Sequence, residues 1–268
     1  MKKYIAILVV LTLTIIGCGP KQVAEETTTA CVPGNLQVDV KDGAMDVIWE
    51  NSCDNLISGY NIYISEDKNQ NDAKPYNNGP FPGDTNPDDG KEVYEAKQLQ
   101  NGKKYYVSVK IINADQTLSK PSEQILAVCG PREEIELSIR YKSENDGYSF
   151  KDNNYVRADD IDNDLYFWSK DGVDYISSPH KLDGFLKNNK LSKIAFTGEF
   201  SELKTKLNSV KKSKFTDKLE IKKNDWILME TAEKKHALIQ ILGFSGNGED
   251  RKSSMFIAFS PVAGEMIF

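Results

Sequence analysis

The residues best suited to chemistry are carboxylates that alternate along one short acidic run. Asp160, Asp162 and Asp164 lie within residues 159–164, and alternate carboxylates can share a hard cation such as Ca²⁺, which takes six to eight oxygen ligands. No glycine follows at the position where a calcium loop turns sharply. The run is therefore interpreted as a polar turn before a strand at Leu165, with calcium binding by the three aspartates as the alternative. No other metal site and no cofactor are predicted.

Histidine is scarce, which limits zinc and acid–base chemistry. The chain has two histidines: His180 has no His or Cys neighbour at ligand spacing, and His236 begins a predicted strand, where a structural role is expected. A Ser-His-Asp triad has few ways to form, and the nucleophile motif Gly-x-Ser-x-Gly is absent from the sequence. A carboxylate pair for glycoside cleavage would leave no sequence signature. We predict no catalytic residue and a protein that is not an enzyme.

A long polar segment, residues 66–90, separates two predicted strands. It contains four prolines and many Asn, Asp and Gly residues, and loops of this length are either functional or mobile. A solvated loop is the first interpretation, and a recognition loop with Tyr76 and Phe81 as ligand contacts is the alternative. A further alternative is a calcium loop with the EF-hand-like spacing of Asp84, Asn86, Asp88 and Glu95.

An aromatic pair alternates along the strand predicted after the acidic run. Tyr166 and Trp168 share one face of this strand, and Leu165 and Phe167 share the other. Burial between two layers would explain both rows. Alternatively, Tyr166 and Trp168 contact a ligand by stacking on a sugar or a protein.

The elements that must position these residues are mostly short strands. Apolar residues alternate over 36–40 and 45–49 around Asp42-Gly43, which is a hairpin signal. The sequence resembles a fibronectin type III domain over residues 31–130 through PGNLQV (33–38), Trp49, GYNIY (59–63), LQNGKKYYVSV (99–109) and SKPSE (119–123). The resemblance implies an antiparallel sandwich with Trp49 in its core and the Tyr105 hydroxyl capping a chain corner.

Residues 131–268 predict a second, β-rich domain of the α+β type. Strands are predicted near residues 135–141, 164–168, 173–177 and 255–259, and residues 226–231 and 236–244 predict a hairpin. Apolar residues at 200, 203, 207 and 210 have the spacing of one short helix over 200–210. This part loosely resembles C-terminal modules that follow fibronectin-type domains in bacterial surface lipoproteins. The fold class is therefore mainly β.

The chain begins with a cationic and then apolar segment that ends at a cysteine. Lys2 and Lys3 precede thirteen residues, 4–16, that are typical of an export signal and too short to span a bilayer. Ile15-Ile16-Gly17-Cys18 resembles the lipobox of bacterial lipoprotein signals. The resemblance implies that residues 1–17 are removed and that Cys18 carries acyl chains, and the polar residues 18–30 predict a disordered tether.

The remaining cysteines are Cys31, Cys53 and Cys129, and an exported protein can form disulfides. Folding the chain about Asp42-Gly43 makes the numbers of opposed residues sum to about 85, whereas 31 and 53 sum to 84. The two cysteines would lie almost opposite each other, as a disulfide needs. We predict the pair Cys31–Cys53, with Cys129 unpaired or bonded outside the domain.

The net charge and the predicted cellular location limit the possible functions. The formal net charge of −6 gives no basic footprint for nucleic acid. We expect a membrane-anchored lipoprotein of the cell envelope that binds, adheres or scaffolds without catalysis, with the membrane and an envelope protein or glycan as partners. Gly19 after Cys18 resembles lipoproteins passed to the outer membrane in double-membraned bacteria. The alternative is an accessory or catalytic component of carbohydrate or peptidoglycan processing.

Overall fold

The computed structural model describes residues 31–51, 57–69, 73–84 and 90–268, and Cys31–Phe268 form one compact unit. The predictions for residues 1–17, Cys18 and the tether 18–30 lie outside the described residues, as does Cys53. Within the described part of the chain, no helix is long and apolar enough to cross a membrane.

Two three-stranded antiparallel sheets, ordered β1-β2-β4 and β3-β5-β6, form the first sandwich. The predicted hairpin is confirmed, because Val40 lies opposite Met45 and Gly34 lies opposite Glu50. The six strands are β1 (Gly34–Lys41), β2 (Ala44–Glu50), β3 (Ile57–Ser65), β4 (Lys91–Ala96), β5 (Lys104–Asn113) and β6 (Ile125–Val128).

The core of this sandwich contains both aromatic residues singled out by the fibronectin-type resemblance. Trp49 is fully buried, and its ring meets the edge of Tyr60 with 5.0 Å between centroids. The Tyr105 hydroxyl accepts a hydrogen bond from the backbone N–H of Gln100 at 3.0 Å. Both predicted roles, core tryptophan and corner-capping tyrosine, are confirmed.

Ten strands form the second body, in two five-stranded antiparallel sheets ordered β13-β11-β10-β8-β9 and β12-β14-β15-β16-β7. The predicted hairpin is confirmed as the pairing of β14 with β15. The strands are β7 (Arg132–Ser138), β8 (Gly147–Ser149), β9 (Asn154–Val156), β10 (Leu165–Lys170), β11 (Val173–Ser177), β12 (Lys190–Ile194), β13 (Lys218–Glu220), β14 (Trp226–Glu230), β15 (His236–Ser245) and β16 (Lys252–Ser260).

The second body has a layered arrangement. Its largest apolar cluster lies between the two sheets, and a smaller cluster covers the other face of the β14 sheet. The helix α1 (Phe200–Lys206) contributes Leu203 to that smaller cluster, followed by Leu207. Burial on both faces explains the continuous apolar run in β14. The helix ends before the predicted residue 210, although Val210 still packs on the cluster.

Short 3₁₀ helices, Pro179–Lys181 and Gly248–Asp250, complete the regular elements. Helix α1 packs on the outer face of the β14 sheet. Among the described residues, no helix contributes to an apolar cluster on the outer face of the β10 sheet. The side chains of that outer face are therefore available to form a surface.

The two sandwiches pack directly against each other at Gly130. Its N–H donates to the Lys41 carbonyl at 3.2 Å, and a β-carbon at this position would come within 2.3 Å of the Phe259 carbonyl oxygen. Glycine is needed here because any side chain would collide with backbone. Salt bridges also cross the junction, Lys104–Glu265 at 2.5 Å and Lys204–Asp39 at 2.6 Å.

Candidate functional site

The acidic run forms a polar turn, as its first interpretation had it. Asp164 is buried and accepts hydrogen bonds from the Lys187 amine at 3.1 Å and from the Phe150 N–H at 2.8 Å. Asp160 accepts the N–H of Asp162 at 2.8 Å. The described residues contain no group of three or more His, Cys, Asp or Glu side chains that could hold a metal ion. The structure therefore does not bring the three calcium candidates together.

Asp164 is a structural carboxylate held inside the protein. Burial raises its pKa above the usual value, although Lys187 and the Phe150 N–H act in the opposite direction. Asn189 adds a hydrogen bond from its side-chain amide to the Asp164 carbonyl at 2.8 Å. These contacts tie the turn before β10 to the segment before β12.

The segment 73–84 folds back along β3 and does not project as a recognition loop. Asn77 is buried; its side chain accepts the Ile62 N–H at 2.8 Å and donates to the Tyr60 carbonyl at 3.0 Å. Phe81 exchanges both backbone hydrogen bonds with Tyr60, and its ring lies 6.0 Å from that of Trp49. Phe81 therefore covers the core of the sandwich, unlike the ligand contact predicted for it.

Tyr76, the other predicted contact in this segment, is about one-third exposed at 36%, and its hydroxyl donates to the Lys97 carbonyl. The EF-hand-like alternative loses one of its ligands to a salt bridge, because Glu95 pairs with Lys97 at 2.7 Å. Asn86 and Asp88 lie outside the described residues.

Each histidine contacts a backbone carbonyl. Nδ1 of His236 lies 3.1 Å from the Glu265 carbonyl oxygen, and Nδ1 of His180 lies 3.1 Å from that of Gly184. His236 is buried at the start of β15, so the expected structural placement is confirmed.

The aromatic row of β10 contributes to a surface on the outer face of its sheet. Leu165 and Phe167 point into the core, which leaves Trp168 on the opposite face. Trp168 pairs across the strands with Tyr175 of β11, and the two rings stack with 4.8 Å between centroids and an interplanar angle of 23°. The indole N–H donates to the Ser177 hydroxyl at 3.0 Å, which fixes the orientation of the indole.

Two cations lie over these rings. The Lys218 amine is 3.9 Å from the Tyr175 centroid and 4.2 Å from the Trp168 centroid, and the Arg140 guanidinium is 5.0 Å from the Trp168 centroid. All three distances lie within the range of cation–π attraction. We call Arg140, Trp168, Tyr175 and Lys218 the cation–aromatic face.

The cations of this face have no anionic partner in the described part of the chain. No carboxylate oxygen there lies within 4.0 Å of a side-chain nitrogen of Arg140, Lys218 or the neighbouring Lys170. The pKa of Lys218 is lowered, first by burial and then by repulsion from Lys170, Lys181 and Arg140. The face is thus locally positive on a chain whose net charge is negative.

A polar cleft of about 770 Å³ adjoins the face, and its lining includes Arg140 of the face and the neighbouring Lys170. Two of its carboxylates are neutralised by cations, Asp174 by Arg251 at 2.7 Å and Glu249 by Lys142 at 2.8 Å. The pairing with Lys142 lowers the pKa of Glu249.

Tyr141, on the rim of the cleft, combines exposure with an unusual backbone. Its side chain is 63% exposed, and its φ of 64° lies in the left-handed region, which residues other than glycine rarely adopt. The buried Asp146 carboxylate accepts the Tyr141 N–H and the Ala158 N–H, which holds this conformation. Such conformations persist where the surrounding structure enforces them, and they cluster at functional sites.

Only part of this surface was predicted. Trp168 belongs to it, but Tyr166 is 1% exposed and lies beneath Arg140, whose guanidinium is 5.9 Å from its ring. The hairpin turn at Asp171-Gly172 could have placed Tyr175 opposite Trp168. The sequence held no comparable signal for Arg140 and Tyr141, which follow β7, or for Lys170 of β10 and Lys218 of β13. These residues come together through tertiary packing.

Residues 32–127 match the family model of the fibronectin type III domain. Residues 32–127 are a fibronectin type III domain. This match covers the first sandwich, whose two sheets, buried Trp49 and corner-capping Tyr105 were described above. Domains of this kind serve as binding or scaffolding modules. The cation–aromatic face lies in the second body, outside the matched residues.

Three solved structures are similar to this chain at low identity. A beta-1,2-glucanase from Parabacteroides distasonis is 22% identical over 38% of this chain and 13% of its own, with a TM-score of 0.30. A myokine is 19% identical over 39% of this chain and 100% of its own, with a TM-score of 0.28. The FN1-FN3 domains of chicken CNTN1 are 11% identical over 86% of this chain and 67% of theirs, with a TM-score of 0.29. This chain thus spans about one-eighth of the glucanase, and no curated protein matches it.

Proposed function

We propose that this chain is a lipid-anchored binding module of the cell envelope, and that its ligand contacts the cation–aromatic face and the adjoining cleft. The observation that carries the proposal is a pair of cations, Arg140 and Lys218, held over a ring stack without a carboxylate partner among the described residues. The fibronectin type III domain supports a binding or scaffolding role for the whole chain.

The arrangement favours binding over catalysis. A general acid needs a pKa raised toward the working pH, whereas the pKa of Glu249 in the cleft is lowered by Lys142. Asp174 is held by Arg251 in two contacts, at 2.7 and 3.2 Å. Each of these carboxylates already has a cationic partner, so both are better suited to shaping the cleft than to transferring protons.

The anchor is proposed from the sequence. Residues 1–17 would be removed and Cys18 would be acylated. Two or more acyl chains on Cys18 would give stable attachment to the membrane, where a single chain is marginal. In a double-membraned organism the lipoprotein would be located at the outer membrane. Fractionation of cells that express the wild-type chain or Cys18→Ser tests this, together with the mass of the mature protein. A soluble wild-type protein with unmodified Cys18 would refute the anchor.

The disulfide Cys31–Cys53 is also proposed. The observed register places Gly34 opposite Glu50. In the sequence Cys31 precedes Gly34 by three residues and Cys53 follows Glu50 by three, so an extrapolated register would oppose the two cysteines. Cys129 is buried with a free thiol, and its Sγ lies 3.2 Å from the Ala44 carbonyl oxygen. Closing a loop of this length stabilises by about 3 kcal/mol in the chain-entropy model.

Cosedimentation with purified envelopes tests the binding face. The Cys18→Ser chain should sediment with envelopes, and the double variant Arg140→Met/Lys218→Met in the same background should bind at least tenfold more weakly. The matched control is Lys110→Met, because the Lys110 amine lies 4.9 Å from the Tyr63 ring on the fibronectin domain. Equal binding by all three proteins would contradict a role for the face.

A further inference from the structure

We infer that the ligand of the cation–aromatic face is an acidic polysaccharide, with its anionic groups on Arg140, Lys170 and Lys218 and its sugar hydroxyls in the polar cleft. This inference rests on the proposed binding function and specifies its ligand class.

The first step is the need for a negative charge. Aromatic rings hold Arg140 and Lys218 in position but do not neutralise them, and Lys170 adds a third positive charge nearby. Like charges this close repel one another, and an anion placed among them relieves the repulsion. A neutral sugar would leave the repulsion in place.

The second step is the state of the ring faces. Sugars commonly stack on exposed aromatic rings, but Trp168 already has two cations within 5.0 Å of its centroid and Tyr175 as a stacking neighbour. A sugar could reach the face of Trp168 only by displacing a cation. Tyr141 is 63% exposed and, among the described residues, has one cation near it, the Arg140 guanidinium at 5.5 Å from its ring centroid, so it offers more ring surface to an apolar sugar face than Trp168 does.

The third step separates a glycan from an acidic peptide. Peptides commonly add to an open sheet edge or insert side chains into apolar grooves, and acidic motifs bind clusters of Arg side chains, whereas Arg140 is the one Arg of this face. The cation–aromatic face is instead the broad side of β10 and β11, which pair with each other, with β13 beyond β11 and with β8 beyond the start of β10. The adjoining cleft is lined largely by polar residues, including Ser169, Asn247 and Asp171. Such donors and acceptors suit a ligand with many hydroxyl groups.

Two matched pairs of polymers test the inference with the Cys18→Ser chain. Polygalacturonate is compared with its methyl ester, and dextran sulfate with dextran, so that each pair shares a backbone and differs in charge. At least one acidic polymer should bind at least tenfold more tightly than its neutral counterpart, and binding should weaken from 50 to 500 mM salt as screening increases. Poly-L-glutamate is the peptide probe and should bind more weakly than the acidic polymer.

Variants locate the binding. Arg140→Met/Lys218→Met and, separately, Lys170→Met should each weaken binding of the acidic polymer, the double variant at least tenfold, whereas Lys110→Met should not. Circular dichroism and thermal unfolding confirm that each variant is folded. Lys170→Met changes an exposed side chain, so it keeps the test available if the double variant unfolds.

Each outcome decides the inference. Binding that does not distinguish acidic from neutral polymers, equal or tighter binding of poly-L-glutamate, failure of both acidic polymers to bind, or full binding by the variants would each overturn it. These results leave the proposed function standing if the wild-type face still mediates envelope cosedimentation. If the Arg140→Met/Lys218→Met variant cosediments with envelopes as well as its parent does, the proposed function itself is overturned.

Discussion

Replacing Lys187 with methionine tests how the protein holds the buried carboxylate Asp164. The Asp164 side chain is 4% exposed and that of Lys187 is 16% exposed, so the pair is shielded from water. Lys187→Met keeps most of the aliphatic chain but removes the amine that contacts Asp164 at 3.1 Å and the Asp162 carbonyl at 2.9 Å. The variant leaves a buried carboxylate without its cationic partner.

The structure gives the size of the effect. Breaking a buried ion pair by removing one partner costs about 3–5 kcal/mol, and the Phe150 N–H still donates to Asp164 in the variant. The loss should therefore lie near the lower end, about 3 kcal/mol at pH 7. The variant can avoid a buried charge by protonating Asp164, so the cost of that protonation is an upper limit on the stability loss from the unpaired charge. At pH 7 this limit is about 4 kcal/mol, from 1.36 kcal/mol per pH unit above an unfolded pKa of about 3.9.

The loss should depend on pH in a defined direction. Burial raises the pKa of Asp164 in the folded state, so the protonated form favours folding. The stability linked to that proton is fully present below the unfolded pKa and is lost as the pH rises through the folded pKa. Without Lys187 this pKa rises further. At pH 5 the same upper limit is about 1.5 kcal/mol, so the difference from wild type should shrink.

Urea unfolding of wild type and Lys187→Met at pH 7 and pH 5 measures both quantities. Lys103→Met is the control, because its salt bridge with Glu66 is exposed and should contribute less than about 1 kcal/mol. A loss below 1 kcal/mol at pH 7, or one equal at both pH values, would refute this account of Asp164. Added Ca²⁺ should leave wild-type unfolding unchanged; a clear stabilisation would instead support the calcium alternative.

Three further predictions concern the fibronectin type III domain and the thiols. Tyr105→Phe removes the acceptor of the Gln100 N–H and should cost about 1–2 kcal/mol in urea unfolding, whereas Tyr141→Phe, an exposed ring, should cost little; equal losses would contradict the corner role. Burial raises the pKa of Cys129 to about 11, so iodoacetamide at pH 8 should label the native chain slowly. Denaturation of the Cys18→Ser chain without reductant should expose one thiol, and three would end the Cys31–Cys53 proposal.

Local patterns predicted the parts of the fold in which neighbouring residues interact. The hairpin at Asp42-Gly43 and the burial of Trp49 follow from alternation and a turn signal within a short stretch. Local composition predicts a loop around Phe81, because its partners, Tyr60 and Trp49, lie more than twenty residues away along the chain. Its segment is polar in composition yet joins the core through Asn77.

The candidate site illustrates the same limit. Alternation with core residues within one strand predicts that Trp168 lies on the face opposite the core. Lys218 reaches it from β13, which pairs with β11 after a long excursion through β12 and α1. Asp164 resembled a calcium ligand because its neighbours are acidic, whereas the residue that decides its role, Lys187, lies 23 residues further on. Such pairings depend on topology, which alternation does not encode.

The glycine junction has a mechanical consequence. Independent domains usually move relative to each other unless their interface is extensive, and flexible linkers absorb tension by stretching. Gly130 instead packs against the Phe259 backbone, and salt bridges on either side restrain rotation. A pull on the cation–aromatic face would therefore reach the fibronectin type III domain through the Gly130 backbone contacts and these salt bridges, and not through a flexible linker alone.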